Sequence, residues 1–201
     1  MFAGIVEGTV QVTSVLTGAQ SLRLILDNPN YFDDLSVGDS VCVDGVCLTL
    51  EGQNPGTIEF VAAAETLHIT GWNEKSILGK TVNVERSLRW GDRVHGHLVT
   101  GHVDALVQVV NIARLGDALT LSLEAPKSLQ KYLWKKGSVT LNGVSLTVNE
   151  VVGGVFSVCL IPETLRRTNL GNLQIGDWVN LETDYYAKGI IAAHTAEKVA
   201  Q

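Results

Sequence analysis

Apolar residues recur at every second position through short stretches of this chain, and Gly, Asn and Asp interrupt them. Residues 40–43, Ser-Val-Cys-Val, show the pattern in miniature. A period of two sends alternate side chains to opposite faces of a strand, one face in and the other out. Strands are predicted at 8–15, 22–26, 40–43, 47–50, 57–62 and 81–85, then at 105–113, 119–123, 138–141, 145–148, 155–161 and 178–182. Val43-Asp44-Gly45-Val46 and Leu141-Asn142-Gly143-Val144 set Asp-Gly and Asn-Gly between apolar residues. Asp, Asn and Gly tolerate the positive φ of a tight hairpin turn, so each tetrapeptide predicts a hairpin. About six short strands per half predict an all-β chain whose halves are small closed barrels. Short helices are expected over 28–35 and 126–133, the second opening at Pro126, and a turn or single helical turn after each Glu-Thr-Leu. Residues 184–199 lose the β-branched pattern and predict a C-terminal helix outside it, with Gly189 its weak point.

The strand pattern is written twice. GDSVCVDGVCLTL (38–50) returns as KGSVTLNGVSLTV (136–148), pairing Gly45 with Gly143, Cys47 with Ser145 and Thr49 with Thr147. Glu65-Thr66-Leu67 returns as Glu163-Thr164-Leu165, Gly79–Glu85 as Gly176–Glu182, and Gly4-Ile5-Val6 as Gly101-His102-Val103. A period near 100 residues is too long for a solenoid and fits two tandem domains, each binding one copy of a ligand. The division expected is 1–97, 98–186 and a terminal helix at 187–201, a candidate oligomerisation element.

Composition narrows the partners. The chain has 201 residues, 45% of them apolar, and a net charge of −6 without a basic block. A nucleic-acid surface needs a clustered positive face, and a membrane span about 20 consecutive apolar residues; neither is present in the sequence. Three cysteines without a C-x-x-C argue against a disulfide framework and for a reducing cytoplasm. No phosphate loop, dinucleotide turn or nucleophile elbow occurs.

Cys47/Thr49 and Ser145/Thr147 stand two apart, hence on one strand face, with Leu48 and Leu146 opposite. Such residues are also ordinary sheet residues; recurrence in both halves favours a ligand-facing role. Thr66 and Thr164 fit turns or caps as well as a pocket. His95, His97 and His102 form H-x-H-x4-H, a pattern open to metal binding, yet no acidic or cysteine cluster accompanies it. His102, beside Gly101, is better placed next to a ligand. Lys136 occupies the position of Gly38, an asymmetry useful when two identical molecules must play different parts. Ser40 and Asp184 are further polar candidates.

The runs MFAGIVE, GVCLTL, GHLVTGHVD, GVSLTV, IPETLRRTNLG and GDWVNLETD, spread in order over essentially the whole chain, resemble the riboflavin synthase family of the α-chain type. The resemblance implies two similar six-stranded closed antiparallel β-barrels plus a C-terminal α-helix, assembled as a homotrimer. It implies conversion of two 6,7-dimethyl-8-ribityllumazine molecules to riboflavin and 5-amino-6-ribitylaminouracil, with no metal or redox cofactor. One lumazine would lie in the first barrel of one subunit, the other in the second barrel of a neighbour; some relatives sit inside a lumazine synthase shell. Carried over, the first pocket would use Gly4, Ile5 and Val6, then Cys47, Leu48 and Thr49, then Val61, Ala62, Ala63, Ala64, Glu65 and Thr66. The second would use Gly101, His102, Val103 and Lys136, then Ser145, Leu146 and Thr147, then Leu160, Ile161, Pro162, Glu163, Thr164 and Leu165. Polar catalytic groups would fall on Ser40, Cys47, Lys136, Ser145, Thr147, Asp184 and His102, with Phe2 close by. Three positions depart from the family pattern. Ala3 removes a usual hydroxyl, Ala105 replaces a glycine, and Asn142 stands where Asp is common. The rival expectation is a lumazine- or flavin-carrying antenna protein of the same superfamily, which binds without turnover.

Overall fold

The computed structural model describes residues 1–29 and 32–199. β1 (Gly8–Thr17), β2 (Ser21–Asp27), β3 (Ser40–Val43), β4 (Val46–Asn54), β5 (Thr57–Ala63) and β6 (Thr81–Arg86) close into an antiparallel barrel ordered β1-β2-β5-β4-β3-β6. β7 (Ala105–Leu115), β8 (Ala118–Glu124), β9 (Ser138–Leu141), β10 (Val144–Val152), β11 (Val155–Leu160) and β12 (Trp178–Thr183) repeat that order as β7-β8-β11-β10-β9-β12. All twelve predicted strands form. β4 and β10 run four residues beyond their predicted ends, and β11 stops at Leu160 because Ile161 is already the N-cap of a helix opened by Pro162.

Both hairpins are of the predicted kind: Asp44 and Gly45 have φ of 43° and 84°, Asn142 and Gly143 of 44° and 81°. Positive φ at both central residues matches the turn to the strands' twist. Alternate positions then fill each interior, with Leu22, Leu24, Leu26, Leu50 and Phe60 in the first core and Leu119, Leu121, Leu123, Phe156 and Val158 in the second. Each such buried side chain contributes about 1.5–3 kcal/mol of hydrophobic stabilisation. Bulges recur at matching places, Val12/Ser14 and Val109/Asn111, then Leu50/Gly52 and Val148/Glu150. The extra residue sharpens local twist and helps so short a sheet curl shut.

Helices are α1 (Ala64–Thr70), α2 (Glu74–Ile77), α3 (Pro162–Arg167) and α4 (Tyr185–Val199). α1 and α3 include the Glu-Thr-Leu residues themselves, and α2, capped by Asn73, was not expected from the sequence. Of the helix expected over 28–35, residues 30 and 31 lie outside the described residues and the others form no helix, Phe32 N–H reaching the Pro29 carbonyl. Residues 126–133 fold as turns ending in one 3-10 turn, Gln130–Tyr132, closed by bonds three residues apart.

The barrels face each other across a local two-fold axis. Gly45 and Gly143 abut there: a Cβ on either would lie 2.8 or 2.9 Å from the other's nitrogen. Phe2 and Val99 bridge antiparallel on the same axis, Phe2 N–H to Val99 O at 2.8 Å and the reverse at 3.1 Å. Around it Asn83 donates to the Asn142 carbonyl and Asn180 to that of Asp44, both at 2.8 Å. α4 is capped by Asp184, whose Oδ1 accepts from Ala187 N–H at 2.9 Å, and Lys188 ties it to Asp104 at 3.0 Å. Tyr186 and Ile190 on α4 remain 63% and 70% exposed.

Candidate active site

The outward face of each β-hairpin carries four small side chains. On β3–β4 the pairs are Ser40 opposite Thr49 and Cys42 opposite Cys47; on β9–β10 they are Ser138 opposite Thr147 and Thr140 opposite Ser145. Leu48 lies in the first core and Leu146 packs on the second, as strand alternation requires. Cys47 and Ser145 are half-buried, Thr49 and Thr147 exposed.

The strips beside these hairpins come from the opposite repeat. Cys47 N–H donates to Gly101 O at 2.8 Å, and Ser145 N–H to Gly4 O at 2.8 Å. Gly101 (φ 78°) and Gly4 (φ 72°) are both left-handed, and a Cβ on either would meet the partner's Cβ at 2.6 Å. Glycine is therefore required twice over, for conformation and for approach. Val103 packs against the first core and Val6 lies within the second. This corrects the grouping expected from the resemblance: Gly4-Ile5-Val6 serve the second barrel, Gly101-His102-Val103 the first. The exchange follows from the Phe2–Val99 bridge, which carries each segment across the axis.

Two buried carboxylates hold the crossing segments. Glu182 Oε1 accepts from Thr100 N–H (2.8 Å) and Oγ1–H (2.6 Å), and its Oε2 from Gly101 N–H (3.0 Å). Glu85 Oε1 accepts from Ala3 N–H at 2.7 Å, but among the described residues its buried Oε2 has no hydrogen bond. The hydroxyl that Ala3 lacks is the counterpart of Thr100 Oγ1. Burial raises both carboxyls above the usual range, Glu85 to about 7; nearby N–H groups of Ala3, Ile5 and Gly4 pull the other way. Burial and then these two carboxylates push the Cys42 thiol up.

The first cradle encloses about 400 Å³ among Val46, Cys47, Glu65, Thr66, Ile69, Thr70, Gly101, His102 and Val103. Ser40 and Thr49 extend the same strand face. Val61 is half-buried on β5, Ala63 and Ala64 are exposed at the start of α1, and Ala62 is wholly inside the core. In the second repeat Ser145 meets Gly4 and Gly96, and Pro162 to Leu165 form the start of α3. Ile161 is exposed, whereas Leu160 is wholly buried in the core. Glu163 is paired with Arg166 and Arg167, whose hydrogen bonds hold its carboxyl below the usual range.

Lys136 has φ of 70°, the left-handed conformation that its counterpart Gly38 adopts at 100°. Its side chain is exposed, with no ion pair among the described residues. The three histidines part company. His95 lines a cavity of about 580 Å³ with Arg89 and Asp92, His102 lines the first cradle, and His97 reaches Ser145. Sequence reasoning missed Cys42, Thr140, Glu85, Glu182 and Ile69, and took His97 only as a metal candidate. Glu85 and Glu182 stood in the repeat as matching residues and could have been found there.

A family model described as the lumazine binding domain matches residues 3–87 and again 100–184. The chain is 36% identical to riboflavin synthase of Escherichia coli (strain K12), over 99% of this chain and 93% of the relative. It is 39% identical to riboflavin synthase of Chlamydia pneumoniae, over 94% and 92%. Among solved structures, LumP complexed with riboflavin superposes with a TM-score of 0.83, and LumP with 6,7-dimethyl-8-(1'-D-ribityl) lumazine with 0.81. Both are 24% identical and cover 91% of this chain and 99% of LumP, a likeness of fold. With two lumazine-binding domains matched in tandem and its relatives aligned from end to end, the chain belongs to the riboflavin synthase family.

Proposed function

We propose that this chain is a riboflavin synthase, converting two 6,7-dimethyl-8-ribityllumazine molecules to riboflavin and 5-amino-6-ribitylaminouracil. One geometric fact carries most weight: two cradles share a backbone frame yet line it differently, Cys47 and His102 in one, Ser145 and His97 in the other. A dismutation of like molecules needs that, since one must give a four-carbon unit and the other accept it. Holding two rings face to face replaces a second-order encounter and supplies much of the acceleration. Ser145 and Thr147 with Lys136 and Asp184 manage charge and proton transfer at the donor, and Ser40 and Cys47 assist addition to the acceptor. His102 flanks the first ring, and Phe2 fixes the strip on which both cradles depend.

The proposal takes residues 1–97 and 98–186 as the two lumazine-binding units and 187–201 as a trimerisation element, of which 200 and 201 lie outside the described residues. Exposed Tyr186 and Ile190 on α4 favour burial against another copy, giving a homotrimer whose active sites lie between subunits. A cytoplasmic location suits the free thiols of Cys42, Cys47 and Cys159, and a lumazine synthase shell is a further partner.

Purified protein mixed with the lumazine is expected to yield riboflavin and the pyrimidine in equal amounts, one of each per two substrates consumed. A tight fluorescent complex without riboflavin would instead make the chain an antenna. Cys47→Ser is expected to slow turnover; unchanged turnover would remove the thiol from the addition step.

A further inference from the structure

We propose that His97 is the positioning residue that makes the second cradle the proton-accepting side of the reaction, by holding Ser145 ready to take a proton from the bound lumazine's methyl group. The proposal rests on the riboflavin synthase reading above and gives a physical reason for the donor to lie in the second cradle.

The imidazole is fixed at both ends. Its Nδ1 lies 2.7 Å from Ser145 Oγ and its Nε2 3.2 Å from Thr140 Oγ1. Thr140 is wholly buried, and among the described residues its hydroxyl has no other partner. With Nε2–H donating to Thr140, the Nδ1 lone pair receives the Ser145 O–H, and the Ser145 oxygen keeps its own lone pairs for the substrate. The neighbouring glycine makes this approach possible: a Cβ at Gly96 would lie 2.2 Å from the Ala3 carbonyl oxygen and 2.8 Å from Ser145 Oγ. The linker is thus pressed into the second cradle. At the matching place in the first, Cys42 and Cys47 pack with Phe2 and Val99 in an apolar cluster.

The proton balance closes within these residues. The methyl C–H bond breaks and its electron pair stays in the lumazine ring system as the delocalised anion. The proton passes to Ser145 Oγ while the serine's own proton moves to His97 Nδ1, leaving an imidazolium. Burial lowers the affinity of the ring for that proton and keeps it neutral beforehand; Asp184, at the β12–α4 junction, acts in the opposite sense and steadies the cation. The groups facing the ring from β9 and β10, Thr140 and Ser145, are uncharged. On its own segment His95 and Asp92 line a different cavity.

The test compares assembled wild-type protein with His97→Gln and Thr140→Val, measuring kcat and KM across pH 5–9 and the exchange of the lumazine methyl protons in D2O. Wild-type kcat is expected to fall on the acid side as His97 is protonated. His97→Gln is expected to lose that limb, to drop kcat and methyl exchange about 100-fold, and to leave KM within about threefold. Thr140→Val removes the acceptor at Nε2 and is expected to move the acid limb to lower pH. A His97→Gln enzyme with wild-type exchange and pH profile overturns the proposal. If that variant does not fold, an unmoved limb in Thr140→Val overturns it equally. Absence of riboflavin from the wild type would strike the functional reading instead.

Discussion

Lys136 keeps a backbone conformation that its own repeat partner shows to be glycine's. Lys136 N–H reaches Val148 O at 2.7 Å, and Gly38 N–H reaches Leu50 O at 2.8 Å, so the turn does the same structural task in both barrels. A side chain in the left-handed region costs about 1–2 kcal/mol. Glycine would relieve that strain but free the unfolded chain by about 0.5–1 kcal/mol, so Lys136→Gly should be neutral to mildly stabilising. Turnover is expected to fall at least about tenfold if the ammonium steadies the developing anion. Melting temperature and kcat measured together separate the two effects. An equally active variant would return Lys136 to the status of a surface charge. The hint of this role, a lysine facing a glycine across the repeat, was legible in the sequence; the strain that gives it meaning was not.

At the scale of elements, the hairpins could be read from the chain because their signals are local: alternation, Asp-Gly and Asn-Gly; the helical turns expected after each Glu-Thr-Leu instead begin before it, α1 at Ala64 and α3 at Pro162. The exchange of the Gly-x-Val strips could not be read from the chain. A repeat matches positions by number, and since both strips carry the same motif, either assignment satisfies the sequence. The Phe2–Val99 bridge and the cores joined by Val6 and Val103 decide it. His97 was illegible for a related reason, its partners Thr140 and Ser145 lying 43 and 48 residues away. The exchange has a sharp consequence. Gly101→Ala sits in the C-terminal repeat by number yet is expected to spoil the first cradle by driving a Cβ into Cys47. Gly4→Ala should likewise spoil the second, through Ser145. Each is expected to abolish one of two lumazine-binding events in a titration, at least about tenfold in Kd. Labelling the cysteine is the discriminating readout: Gly101→Ala should alter Cys47 reactivity and Gly4→Ala should not.

Across the whole molecule, the axis joining the barrels is where acidity is buried. Asp44 is raised from 3.8 to about 7 and Glu85 from 4.5 to about 7, both chiefly by burial, and Glu182 is raised for the same reason. Between about pH 4 and 7 the folded chain therefore holds protons that the unfolded chain has released. Their stabilisation is fully present below the unfolded values and is lost as pH rises through the folded ones, so the two-barrel unit should weaken from pH 5 to 8. The repeat supplies its own controls. Asn142 already fills the place of Asp44, its Oδ1 accepting Asn180 N–H at 2.8 Å as Asp44 Oδ1 accepts Asn83 N–H at 2.7 Å. Asp44→Asn keeps an oxygen for that bond and removes the charge, so it should flatten the decline and raise the melting temperature above pH 7. Ala3→Thr acts at the other carboxylate, offering Glu85 the hydroxyl that Thr100 gives Glu182. A hydrogen bond to the ionised form lowers Glu85's pKa and should add about 1 kcal/mol above pH 7, with little gain at pH 5. Melting curves of the two variants and their combination from pH 5 to 8 check this; parallel displacement at every pH would show that these carboxylates stay ionised throughout, and would dissociate the buried axis from the pH dependence of stability.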